Sequence, residues 1–132
     1  MREKSDMEKK YDLEERLIDF AVRIIDMVET LPNTRAGNHV AGQLVRCGTS
    51  PAPNYGEAQS AESRSDFIHK IKIVLKELRE TRVWLLIIHR KRMTRTGGQT
   101  ESLIAECNEL ISIFVTSAKT AEKNRRNRSR ET

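Results

Sequence analysis

Residues 63–93 read SRSDFIHKIKIVLKELRETRVWLLIIHRKRM, and this stretch decides the fold. Ser63 stands where it can cap a helix, with Asp66 at the third helical position, where a carboxylate meets the positive end of the helix dipole. Phe67, Ile71, Val74, Leu75, Leu78, Leu85 and Leu86 then return at helical spacing and line one face. His89, Arg90, Lys91 and Arg92 crowd the far end, where cations suit the dipole. The pattern predicts an amphipathic helix running to about Met93. Such a helix has to bury its apolar stripe against other helices.

The flanking sequence supplies them. Upstream, Asp12 with Glu15 three residues later forms a capping-box pattern, and Leu13, Leu17, Phe20, Ala21, Ile24, Val28 and Leu31 recur behind it until Pro32-Asn33. After a turn over Thr34 to Asn38, Val40, Leu44 and Cys47 share a face. Pro51 then removes a backbone donor, Pro53 does so again, and Pro53 also biases Ala52 away from helix. A kink or break is expected there, with helix resuming near Asn54 and ending about Ala61. Downstream, Gly97-Gly98 punctuates a loop from Thr94 to Thr100, and Leu103, Cys107, Leu110, Ile111, Phe114 and Ala118 mark a last helix that fades near Lys123. Short connections favour antiparallel neighbours. The expected architecture is all-α: an up-and-down antiparallel four-helix bundle over 11–122, its second helix kinked or broken at Pro51/Pro53, between a flexible N-terminal arm (1–10) and a disordered basic tail (123–132).

Composition agrees. The 132 residues suffice for one domain, and 33% charged with 5% aromatic residues suits helices better than β-sandwiches. No apolar run approaches the roughly 18 residues of a membrane span, and Met1 to Lys10 lacks a signal core. Cys47 and Cys107 each sit among apolar neighbours without a CxxC partner and read as small buried hydrophobes. A cytoplasmic protein is expected. The net charge of +5 permits an anionic partner without naming one.

Catalytic patterns are missing from the sequence. His39, His69 and His89 form no i,i+3 or i,i+4 pair and no HExxH or ExxH occurs, so no metal site is expected. Gly97-Gly98 lacks the Lys-Ser or Lys-Thr of a phosphate loop. Ser50 has no activating neighbour in sequence, and Glu77 with Glu80 on a helix surface suits salt-bridging better than acid–base chemistry. The chain reads as a non-enzyme without cofactor or small-molecule substrate.

A more specific signal lies in Gln43-Leu44-Val45-Arg46-Cys47-Gly48-Thr49-Ser50, Asn54-Tyr55-Gly56-Glu57-Ala58, Ser63-Arg64-Ser65-Asp66-Phe67-Ile68-His69-Lys70, Lys76-Glu77-Leu78-Arg79-Glu80-Thr81 and Trp84-Leu85. These blocks resemble the bacterial four-helix-bundle family first noticed as reading frames within intervening sequences of 23S ribosomal RNA genes. The resemblance covers roughly Leu13 to Phe114. It implies a left-handed bundle and a homo-oligomeric ring, a pentamer in family precedents, and it implies no reaction. Pro51 and Pro53 depart from the family pattern, which has small apolar residues or glycine there.

Three groups remain as candidate sites. Ile73, Glu77, Glu80, Trp84 and Ile87 step by four, three, four and three, the rhythm of a helix-contact seam. They are a candidate oligomer interface, with Arg46, Arg64 and Lys70 as possible partners of the acids, or else a broad core edge covered by Trp84. Arg90, Lys91, Arg92 and Arg95 form one basic cluster, and Arg125, Arg126, Arg128 and Arg130 another, at opposite ends of an antiparallel bundle; both are candidate nucleic-acid contacts or solvated ends. Ser50, Pro51, Pro53, Asn54, Tyr55 and Glu57 form a structural corner at which Asn54 can rebond backbone freed by the prolines. The expected role is a homo-oligomeric interaction module that binds RNA or other nucleic acid electrostatically. The alternative is a protein-binding scaffold whose charge serves solubility.

Overall fold

A computed structural model describes the backbone of residues 2–95 and 97–131, and the side chains of 13–95 and 97–128. It contains five helical segments: α1 (Arg2–Val28), α2 (Arg35–Thr49), α3 (Pro51–Gln59), α4 (Arg64–Lys91) and α5 (Gln99–Glu131). Segments α2 and α3 form one bent arm, because Ser50 between them keeps helical dihedrals (φ −67°, ψ −37°). The result is the expected four-helix architecture with its second helix kinked.

The kink follows from the prolines. Pro51 opens α3 at a position where a missing N–H costs little. The segment therefore starts three residues earlier than Asn54. The Asn54 side-chain amide donates to the Ser50 carbonyl (3.0 Å) and to Ser50 Oγ (2.8 Å), and its backbone N–H reaches the same carbonyl at 3.2 Å. The rebonding expected of Asn54 is thus present. Side-chain caps start α2 and α4: Thr34 Oγ1 accepts from the Gly37 N–H and Ser63 Oγ from the Asp66 N–H, each at 3.0 Å.

Two boundaries differ from the sequence reading. Helix α1 begins at Arg2, so residues 2–10 are helical and Asp12 is a mid-helix residue rather than a cap. Helix α5 continues to Glu131, so the basic segment after Lys123 is helical as well. The reason is shared: both stretches are rich in Arg, Lys and Glu and contain no glycine or proline to stop a helix already nucleated. Neither stretch has an apolar stripe to bury, yet a helix already nucleated continues without one.

The core is built from one stripe per arm. Leu17, Phe20, Ile24 and Met27 of α1 meet Val40, Leu44 and Cys47 of α2, Tyr55 and Ala58 of α3, Ile71, Val74, Leu78, Leu85 and Ile88 of α4, and Leu103, Cys107, Leu110 and Phe114 of α5. Met27, Ile68 and Ile88 are buried although the spacing argument passed over them, whereas Phe67 and Leu86 are only half-buried. Gly48 sets the closest approach of α2 to α1: a Cβ there would lie 2.8 Å from Ile24 Cγ2. Around the bundle, α1 packs on α2, α3 and α5, and α4 packs on the same three. Among the described residues α1 and α4 make no close approach, so they sit diagonally.

Candidate functional site

The first basic cluster is gathered by the turn between α4 and α5. Arg92 caps α4 in the left-handed region (φ 53°, ψ 49°), its N–H bonding the His89 carbonyl at 3.3 Å, while the Met93 N–H returns to the Ile88 carbonyl at 3.1 Å. Gly97 (φ 35°) and Gly98 (φ 81°) then reverse the chain, a conformation glycine adopts without steric cost. The turn encloses a cleft of about 780 Å³ lined by Arg90, Arg92 and Arg95 together with Thr94, Thr100 and Glu101. Lys91 is exposed beside it. The Glu101 carboxylate lies 3.2 Å from His89 Nδ1. Three guanidinium groups around one cleft make an arrangement suited to phosphate oxygens.

The second cluster lies at the other end of the bundle, as antiparallel helices require. Lys123, Arg125, Arg126 and Arg128 are exposed along the last turns of α5, and the Arg130 side chain lies outside the described residues. Nearby, Lys72 of α4 holds Glu122 at 2.5 Å, and this ammonium keeps the Glu122 carboxyl below the usual carboxylate range. Arg128 also lines a cleft of about 830 Å³ with Arg64, Tyr55, Phe67 and Leu13. This cleft is not legible in the sequence, because its walls come from α1, α3, α4 and α5 together.

The candidate seam on α4 is used within the chain along most of its length. Arg46 of α2 bonds both Glu77 (3.3 Å) and Glu80. Trp84 donates its indole N–H to Glu80 at 3.2 Å and packs edge-on against His39, ring centroids 5.8 Å apart. Ile73 and Trp84 are half-buried, and only Ile87, 40% exposed, faces outward. Of the basic partners weighed for the acids, Arg46 is the one that meets them; Lys70 pairs with Glu57 at 2.8 Å.

The proline corner is mostly packing. Pro51 and Tyr55 are buried, Pro53 is exposed, and the Tyr55 ring meets Phe114 edge-on at 5.6 Å. Burial raises the Tyr55 phenol above its ordinary value, and Gln59 donates to its oxygen at 3.0 Å. The thiols are buried too: burial pushes Cys47 up to about 11 and Cys107 up to about 12, and Cys107 Sγ lies 3.2 Å from the Leu78 carbonyl. Neither thiol is placed for nucleophilic attack. No helix among the described residues is long and apolar enough to cross a membrane.

Comparison with known proteins gives one family. The model of the 23S rRNA-intervening sequence protein family matches residues 9–116. The crystal structure of a protein of unknown function from the S23 ribosomal protein family of Bacteroides thetaiotaomicron is similar, at 34% identity and a TM-score of 0.74, over 81% of this chain and 98% of that one. No curated protein matches.

Proposed function

The chain belongs to the 23S rRNA-intervening sequence protein family, and from that premise we propose a non-enzymatic, self-associating bundle that binds RNA through its basic ends. The observation that carries the reading is the α4–α5 turn. Arg90, Arg92 and Arg95 surround one cleft, and its carboxylate, Glu101, is engaged with His89. Exposed cations held around a concave surface bind phosphate by displacing counterions, without reading bases. Of the six aromatic residues (two Tyr, one Trp and three Phe), Tyr55, Phe20 and Phe114 are buried, so stacking on bases contributes little. The family name and the S23 ribosomal protein relative favour RNA over other polyanions.

The test is fluorescence anisotropy with a generic single-stranded RNA across a salt series. A log–log slope of several units is expected, about 0.7 for each phosphate neutralised. Arg92→Ala with Arg95→Ala should lower the slope by one to two contacts' worth. No binding at low salt overturns the RNA reading and leaves a protein-binding scaffold.

A further inference from the structure

The core stripe of α5 changes character past Phe114. Leu103, Cys107, Leu110 and Phe114 are fully buried. Ser117, Ala121 and Asn124 then follow on the same side, at steps of three, four and three. They are too small or too polar to fill the space that a leucine would. Opposite them α3 ends at Gln59 and α4 begins at Arg64, and Ala58 and Ala61 bring only methyl groups to the gap. The cleft of about 830 Å³ at this end of the bundle follows from that shortage of bulk, and it lies in the size range of small-molecule sites.

Its surface has two parts. The apolar part comes from Leu13 and the rings of Tyr55 and Phe67. Phe67, placed in the core stripe by its spacing, is half-buried and lines this cleft. The polar part is dominated by donors. Tyr55 is only 7% exposed, and its oxygen accepts from Gln59 Nε2 at 3.0 Å. Its own proton has no acceptor among the described residues, so the O–H is left to donate into the cleft that Tyr55 lines. Burial raises the phenol above its ordinary value, which keeps that proton in place. Arg64, the first residue of α4, stands at the positive end of the helix dipole, is exposed, and forms no ion pair among the described residues. Arg128 and Glu62 line the cleft as well. Two guanidinium groups against one carboxylate leave this lining one positive charge in excess, which suits a monoanion, and Glu62 opposes a doubly charged phosphate ester.

We propose that this cleft binds a small aromatic carboxylate, its ring system against Tyr55 and Phe67, its charge on the Arg64 guanidinium, and an oxygen of the ligand accepting from the Tyr55 hydroxyl. A guanidinium matches the planar pair of carboxylate oxygens with two parallel donors. The apolar body is a ring rather than a long alkyl chain, because two aromatic side chains face it and the α5 wall carries the hydroxyl of Ser117 and the amide of Asn124. A flat molecule needs apolar surface on one side only. The site stands apart from the RNA reading, whose cleft lies at the α4–α5 turn on the opposite end of the bundle.

Isothermal titration calorimetry with naphthoate tests this, with folding followed by circular dichroism. The full chain should bind naphthoate at one site, and naphthalenemethanol, the same ring without the charge, about tenfold more weakly or worse. Arg64→Gln should weaken naphthoate about tenfold, and so should Tyr55→Phe, which removes the hydroxyl and keeps the ring on Phe114. Ala121→Phe should abolish binding by filling the cleft. RNA affinity of the Tyr55→Phe protein should equal that of the wild type, so the two readings fail separately. No heat from naphthoate at millimolar concentration overturns the proposal. So does wild-type affinity in either the Arg64→Gln or the Tyr55→Phe protein. If naphthyl phosphate binds more tightly than naphthoate, the cleft reads phosphate and the carboxylate assignment is wrong.

Discussion

Helix α4 carries two apolar faces of different fate. Ile71, Val74, Leu78, Leu85 and Ile88 point inward and are fully buried, whereas Val83 and Ile87 point outward at 51% and 40% exposure. The residue types are the same and the helix is the same. What differs is the neighbourhood: the inward face meets three other segments, and the outward face is bordered by Lys76, Arg79 and Arg90. Burial of the first face holds the bundle together. The second is left half in water and contributes far less to the isolated bundle.

The comparison breaks or holds on four variants. Leu85→Ala, on the inward face, should cost about 2–5 kcal/mol, seen as a lower urea midpoint at unchanged slope. A loss under about 1 kcal/mol would mean that the inward face is loosely packed. Gly48→Ala should cost about 1–3 kcal/mol, because the new methyl meets Ile24, which is fully buried and has nowhere to swing. A neutral result would show that α1 and α2 can separate without loss.

Alkaline titration probes the same interior. Cys107, beside the inward face at Leu78, is raised by burial from 9.0 to about 12. The unfolded thiol ionises first, so its contribution to stability is complete below about pH 9 and is lost as pH rises toward 12. Cys107→Ala should flatten that part of the stability profile, measured by denaturant midpoint against pH. An unchanged profile would place the thiol in contact with water. The smallest effect belongs to the outward face: Val83→Ser with Ile87→Ser should change stability by no more than about 0.5 kcal/mol, read from the same denaturant midpoint. A large loss of stability from this pair would erase the distinction between the two faces.

Much of the fold could be read from local pattern. The stripe from Ile71 to Leu85, the cap at Ser63, the turn from Thr34, and the interruption at Pro51 and Pro53 all depend on residues within a turn or two of one another. The candidate sites were less legible. The cluster from Arg90 to Arg95 is contiguous, so it was visible, but its cleft was not, since Thr100 and Glu101 join it only through the reversal at Gly97-Gly98. The seam of Ile73, Glu77, Glu80 and Trp84 has the rhythm of a contact between helices, and periodicity does not say whose helix is on the other side. Arg46, over thirty residues away in sequence, supplies that answer within the chain.

The sequence by itself determined the helical class, the number of arms, an interruption at Pro51/Pro53 and the inward stripe, because spacing, capping and proline chemistry act over a few residues; that the interruption is a kink and not a break came from the helical dihedrals of Ser50. It also overreached at both ends, where a lack of apolar residues was taken for a lack of helix. Only the tertiary structure decided which apolar residues were left over. Ile18, Val22, Ile25, Val83 and Ile87 are apolar like the core residues, and they stay outside because they lie on helix faces that no other segment covers. It alone placed the exposed Glu15, Asp19, Asp26 and Glu29 of α1 and the exposed Lys76, Arg79 and Arg90 of α4 on separate outer faces, since that relation depends on which helices pack diagonally and on no residue's neighbours along the chain.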